Sequence, residues 1–344
     1  MSRQDVAAVA RALLYEGYLL YPYRPSAVKN RQRFNFGVIY PETSAGARDG
    51  VDPWLMQTEC LVLSGGAAAV DIEIGFLHLV TRSVALAPGA GATEPVEVDR
   101  LVVGGRLYQP WQEAVERRVA VEHIDLDRLK GRAVTHPFGF PPSDEREPIP
   151  GPSGGTAGVI RRRQAAIAGE IQAEVRPAGP GRCVLTVRIV NRTEPATDSG
   201  RREDILTGCL VSTHTILSVT GGEFASLLDP PEELREIASG CRNLNTWPVL
   251  AGTPPARDTL LSSPIILYDY PEIAPESAGD LFDGTEIDEI LSLRIMALSD
   301  EEKREITQSD ERARLLLERT ESLAAEQMMS LHGVMRPGRQ GRRG

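Results

Sequence analysis

The chain has 344 residues, 41% of them apolar and 25% charged, with a net charge of -10. That is enough for one large or two ordinary domains with a real hydrophobic core. The acidic balance argues against nonspecific binding to nucleic acid or to an anionic membrane, and no apolar run approaches the roughly 20 residues of a membrane-spanning helix.

Residues 3 to 15 predict an amphipathic helix, because Val6, Val9, Leu13 and Leu14 recur at helical spacing. Asp5 and Glu16 interrupt the apolar residues of this N-terminus, so it does not read as a secretory signal. The expected setting is cytoplasmic. Arg33 to Tyr40 alternates like a strand and stops at Pro41. Trp54 to Leu63 is a further strand candidate. Residues 70 to 80 are the clearest, with Ile72, Ile74, Phe76 and Val80 on one face of an extended chain. Val96 to Val103 and Val115 to Leu126 have the same character. Gly65-Gly66, Pro88-Gly89 and Gly104-Gly105 supply turns.

Residues 137 to 158 are dominated by proline and glycine and read as a linker. It would split a β-rich core, residues 1–275, into two layers or subdomains. Beyond it, Ala168 to Val175 and Cys183 to Val190 predict an antiparallel hairpin, and Ile205 to Val219 a long strand. Strands separated by turns, with no regular helix between them, predict an antiparallel β-sandwich or a barrel-like core rather than a parallel sheet.

The C-terminal part differs. Residues 276–335 are expected to hold an acidic segment and helices, making the fold mainly β with a helical C-terminal segment, an α+β arrangement. Ser299 and Glu302 have the spacing of a capping box. Ser309 again precedes two acids, and Gly333 is a plausible helix stop. The last nine residues, 336–344, carry four arginines and are expected to be disordered.

Several chemistries fare poorly. Residues 151–155, GPSGG, match the serine-hydrolase elbow, but the preceding stretch lacks the apolar strand that motif requires. Neither a phosphate loop nor a dinucleotide fingerprint is present. Cys60, Cys183, Cys209 and Cys241 include no closely spaced pair and read as buried apolar residues. Cys209 and His214 are an odd number apart, which puts them on opposite faces of a flat strand. His78 reads as a core histidine bonded to a neighbour. The tyrosines 15, 18, 21 and 23, close to Arg24, Lys29, Arg31 and Arg33, read as packing rather than as a nucleic-acid surface.

Two candidate sites remain, and no cofactor is implied. His123, Asp125 and Asp127 would share one face of a strand and could offer nitrogen and oxygen ligands to a metal, with His136 as a fourth. The other candidate is the stretch from Tyr268 to Glu289. From Asp269 onward it has eight carboxylates and no basic residue. Tyr268, Tyr270 and Phe282 are interspersed with Asp280, Asp283 and Asp288. Aromatic anchors within acidic charge suit a protein partner, since rings supply affinity and charges steer approach.

Three stretches carry a resemblance: residues 14–30 (LYEGYLLYPYRPSAVKN), 210–216 (LVSTHTI) and 263–277 (SPIILYDYPEIAPES). Together they resemble uncharacterised accessory proteins encoded in bacterial [NiFe]-hydrogenase gene clusters, over most of the chain. The resemblance implies a non-catalytic role in hydrogenase assembly, maturation or complex formation, with a hydrogenase subunit or maturation factor as partner. It brings no catalytic residues with it. The chain lacks the paired CxxC motifs of a nickel–iron subunit and the cysteine clusters of an iron–sulfur subunit. The nucleotide loop of a nickel-insertion GTPase is missing as well.

Overall fold

A computed structural model describes residues 3–15, 36–88, 94–152, 154–194 and 202–272, with 298–300, 302–303, 314 and 317–318 near the C-terminus. It opens with helix α1 (Arg3–Leu14). The strands are β1 (Leu55–Leu63), β2 (Ala69–Leu86), β3 (Val96–Glu97), β4 (Leu101–Val103), β5 (Arg106–Tyr108), β6 (Trp111–Asp125), β7 (Val134–Phe140) and β8 (Ser143–Pro150). There follow β9 (Thr156–Gln164), β10 (Ile167–Pro177), β11 (Arg182–Asn191), β12 (Val211–Thr220), β13 (Glu223–Phe224), β14 (Trp247–Leu250) and β15 (Thr259–Ser263). Every named strand pairing is antiparallel. One sheet runs β13-β1-β11-β10-β7 and the other β14-β15-β12-β2-β9-β8, with β6 and β3 on the second side of β2. Among the described residues neither order closes on itself into a barrel.

The two sheets share a core. Val70, Ile72, Ile74 and Phe76 alternate along β2 and meet Met56, Cys60 and Val62 of β1, Ile171 and Val175 of β10, and Leu185, Val187 and Ile189 of β11. Phe76 is fully buried, worth about 1.5–3 kcal/mol over leaving it in water. The opposite face of β2 turns Leu77 and Leu79 into a second cluster with Leu14, Tyr40, Val211 and Leu317. Helix α1 lays Val6, Val9, Ala10 and Leu13 over Val249 and Leu261. The apolar stripe of α1 thus packs as its spacing predicts.

Residues 137–158 are not a linker. They form most of β7, all of β8 and the start of β9, and both sheets contain strands from before and after them. The prolines are tolerated because β7 and β8 are edge strands, where a missing N–H breaks no ladder on the open side. Pro137 lies opposite Glu170, and Pro148 opposite Val159. Pro141 and Pro142 carry the chain from one sheet to the other. Gly151, Pro152, Gly154 and Gly155 lie in the turn between β8 and β9, where Gly151 N–H donates to the Gly155 carbonyl at 2.9 Å. Gly154 and Gly155 sit at φ +86° and +77°, where a side chain would be strained. This is no strained elbow between a strand and a helix.

Two further expectations change. The long strand from Ile205 begins instead as a short helix, Arg202–Leu206, and the strand starts at Val211 with a bulge at Ser212 (φ +54°). Val96 to Val103 divides into β3 and β4, and β4 turns back through Gly104-Gly105 into β5. Of residues 33–40, Ile39 bridges Leu210 and residues 33–35 lie outside the described residues.

Most of the C-terminal segment also lies outside them. What is described includes the Ser299 capping box. Ser299 N–H donates to Glu302 Oε2 at 2.8 Å, and Glu302 N–H donates back to Ser299 Oγ at 3.3 Å. Among the described residues no helix is long and apolar enough to cross a membrane.

Candidate protein-binding surface

Strand β14 ends the eight-stranded sheet, and its outer side is covered by the chain that follows β15. Asp269 accepts the Leu250 N–H at 2.8 Å, and Tyr270 N–H donates to the Leu250 carbonyl at 2.6 Å. A carboxylate thereby stands in for a strand partner and blunts the edge. The second oxygen of Asp269 accepts from Ser226 Oγ, which itself accepts the N–H groups of Leu228 and Asp229. The base of this region is tied to both sheets. Thr58 of β1, Ser262 of β15 and Thr246 form a buried hydroxyl chain with 2.7 Å links, and Leu244 bridges Gln57.

On this platform Tyr268 is 88% exposed and Ile266 71% exposed. Their neighbours Ile265 and Leu267 pack with Val249 and Ala251, so alternation forces residues 266 and 268 outward. Leu228, Leu244 and Trp247 are further exposed apolar side chains on the same segments. Tyr270 turns the other way. Its ring packs against the main core, its hydroxyl donates to the Ala256 carbonyl at 3.0 Å, and its backbone adopts φ +59°.

The acidic candidate is therefore divided. Tyr268 has the exposure an anchor needs, Tyr270 is a structural residue, and Asp269 is an internal acceptor rather than a steering charge. Asp280, Phe282, Asp283 and Asp288 lie outside the described residues. Ile266 and Trp247 escaped the sequence reading because an apolar residue beside buried apolar residues carries no signal of facing solvent.

The metal candidate loses its geometry. Val70 pairs with Ile124 and Ile72 with Val121, so Glu122 and His123 together oppose Asp71 in a bulge. His123 takes φ +53°, and its N–H donates to Asp71 Oδ1 at 2.8 Å. Asp125 caps the following turn by accepting the Asp127 N–H, and Asp127 pairs with Lys130. The regular alternation that put the three side chains on one face is broken on both sides of Ile124. His136 is on β7, in the other sheet. Among the described residues no cluster of three or more His, Cys, Asp or Glu side chains is placed to hold a metal ion.

His78, His214, Cys60, Cys183 and Cys209 are buried, and Cys241 is half-buried. His78 donates from Nε2 to the Ala165 carbonyl at 3.0 Å, as expected of a core histidine, and its Nδ1 has no partner. Burial, with Arg117 adding to it, lowers its pKa from 6.5 to about 4. His214 lies against Gly75, and burial holds it at about 4 as well. Burial raises the Cys60 and Cys209 thiols well above their ordinary value and pushes Cys241 to about 11. Such thiols are inert at neutral pH. The run Arg161-Arg162-Arg163 is answered by carboxylates: Asp144, then Glu113 and Glu147, then Glu97.

Taken together, the fold is mainly antiparallel β in several sheets, with the exposed apolar side chains of Ile266 and Tyr268 beside the covered edge of the largest. No family model matches the chain, and no curated protein matches it in sequence.

Proposed function

We propose that this protein is a non-catalytic accessory or scaffold protein that acts by binding another protein at the Ile266–Tyr268 surface. Following the resemblance, its partner is a subunit or maturation factor of a [NiFe]-hydrogenase, met in the cytoplasm. The observation that supports the reading is Tyr268: an aromatic ring almost wholly in solvent, on a backbone held by Asp269 and Tyr270. A pre-ordered aromatic loses little entropy on binding, which is why such residues dominate interface energetics.

The test is copurification from the native host, comparing the wild type with Tyr268→Ala and Ile266→Asp. Both side chains are exposed, so both variants should keep the wild-type circular dichroism and melting temperature. A hydrogenase component recovered with the wild type should be lost, with affinity reduced by about 1–3 kcal/mol for the alanine variant if the ring is an anchor. Recovery of the same component by both folded variants would refute the surface. Recovery of no hydrogenase component by the wild type would refute the assignment of the partner.

A further inference from the structure

A cavity of about 570 Å³ opens where three turns meet: those joining β1 to β2, β10 to β11 and β12 to β13. Its volume falls in the range of small-molecule sites, roughly 300–1,000 Å³. Ser64 N–H donates to the Gly181 carbonyl at 2.9 Å, which ties the first two turns together. Gly221 stands at φ +76°, and a Cβ there would come within 2.3 Å of the Ala67 carbonyl oxygen. Gly181 stands at φ +65°, where a Cβ would lie 3.0 Å from the Ser64 carbonyl oxygen. These glycines let the turns close on one another, so the rim is set before anything binds. Gly65, also on the rim, faces open space, since a Cβ there would meet nothing within 4 Å.

The floor follows from strand register. Leu63 of β1 lies opposite Glu223 of β13 on one side and opposite Arg182 of β11 on the other. Directly opposed residues share a face of the sheet, so Glu223, Leu63 and Arg182 form a row, and all three line the cavity. Two strand spacings separate the outer members, roughly 10 Å between their Cα atoms. Among the described residues Arg182 has no carboxylate partner and Glu223 no basic one. Toward the other end of β11 the arginines are answered, Arg188 by Glu174, and Arg192 by Glu42 and Glu170. An anion placed on Arg182 alone would be repelled by Glu223, and a cation placed on Glu223 alone by Arg182. A molecule with both charges and an apolar stretch between them suits the whole row, because the partly buried Leu63 lies between the two charged residues.

We propose that this cavity binds a small zwitterion, with its carboxylate on Arg182, its ammonium on Glu223 and its apolar middle over Leu63. The site is separate in sequence from the Ile266–Tyr268 surface and does not rest on it.

Chemical-shift titration of the full, deuterated chain tests this. The probe is 6-aminohexanoate, with hexanoate and hexylammonium as its single-charge counterparts. The zwitterion should shift the amides of Gly65, Gly181 and Gly221 saturably, with a dissociation constant on the order of millimolar, because both ion pairs stay open to water. Each single-charge counterpart should bind about fivefold more weakly. Arg182→Gln should bind 6-aminohexanoate no better than hexylammonium, and Glu223→Gln no better than hexanoate. A merely structural role for either residue would not produce this crossed pattern. Neither side chain has an ionic partner within the fold, so both variants should keep the wild-type circular dichroism. If either fails to fold, the comparison of the three ligands on the wild type still decides. No saturable shift at these glycines overturns the proposal, as does hexanoate or hexylammonium binding the wild type as tightly as 6-aminohexanoate.

Discussion

Lowering the pH should destabilise this protein well before its carboxylates are protonated, through His78 and His214. Both are buried, and burial holds both near a pKa of about 4 against 6.5 for a free imidazole. For His78 the reason is visible atom by atom. Its Nε2–H is spent on Ala165, so a proton could join only Nδ1, which has no acceptor and lies within the field of Arg117. For His214 burial also leads, partly offset by the Ser212 carbonyl 3.5 Å from Nδ1. The unfolded chain binds a proton at each site below pH 6.5, whereas the folded chain resists until about 4. Stability is thus full above the unfolded pKa and is lost as pH falls between the two values. Integrated from pH 7 to pH 5, each histidine removes about 1.8 kcal/mol, and the pair about 3.6 kcal/mol. Denaturant titrations at the two pH values measure this directly. His78→Gln is less stable than the wild type at every pH, but its loss between pH 7 and pH 5 should be smaller by about 1.8 kcal/mol. An unchanged pH difference in that variant, or in His214→Gln, would refute the buried-neutral assignment for that residue.

Two further outcomes test the fold. At Gly75, a Cβ would come within 2.5 Å of Cε1 and 2.6 Å of Nε2 of the buried His214 ring. Gly75→Ala should therefore cost about 1–3 kcal/mol as overpacking, read from the denaturation midpoint, and a neutral result would mean the ring moves freely. Limited proteolysis with chymotrypsin and trypsin should spare the bonds after Phe138 and Arg146, which are held in the ladders of β7 and β8. Early cleavage after Phe138 would argue for a loose linker there.

Local pattern determined a good deal of this protein. The period-two alternation of Ile72, Ile74 and Phe76 placed the inner face of β2, the turn at 177–181 defined the β10–β11 hairpin, and the Ser299–Glu302 spacing marked a capping box. These features depend on neighbours within a few residues, so the sequence contains them. Which strands lie at an edge does not. Pro137 and Pro148 break a central strand but not an outer one, and only the assembled sheets decide that β7 and β8 are outermost. The candidate sites divide in the same way. His123 needs a flat strand to align with Asp125 and Asp127, and the bulge opposite Asp71 removes it. Tyr268, Asp269 and Tyr270 are consecutive, yet one is in solvent, one closes a sheet edge and one packs on the core. Their roles were decided by the outer side of β14, because burial belongs to the surface a residue meets and that surface comes from distant parts of the chain.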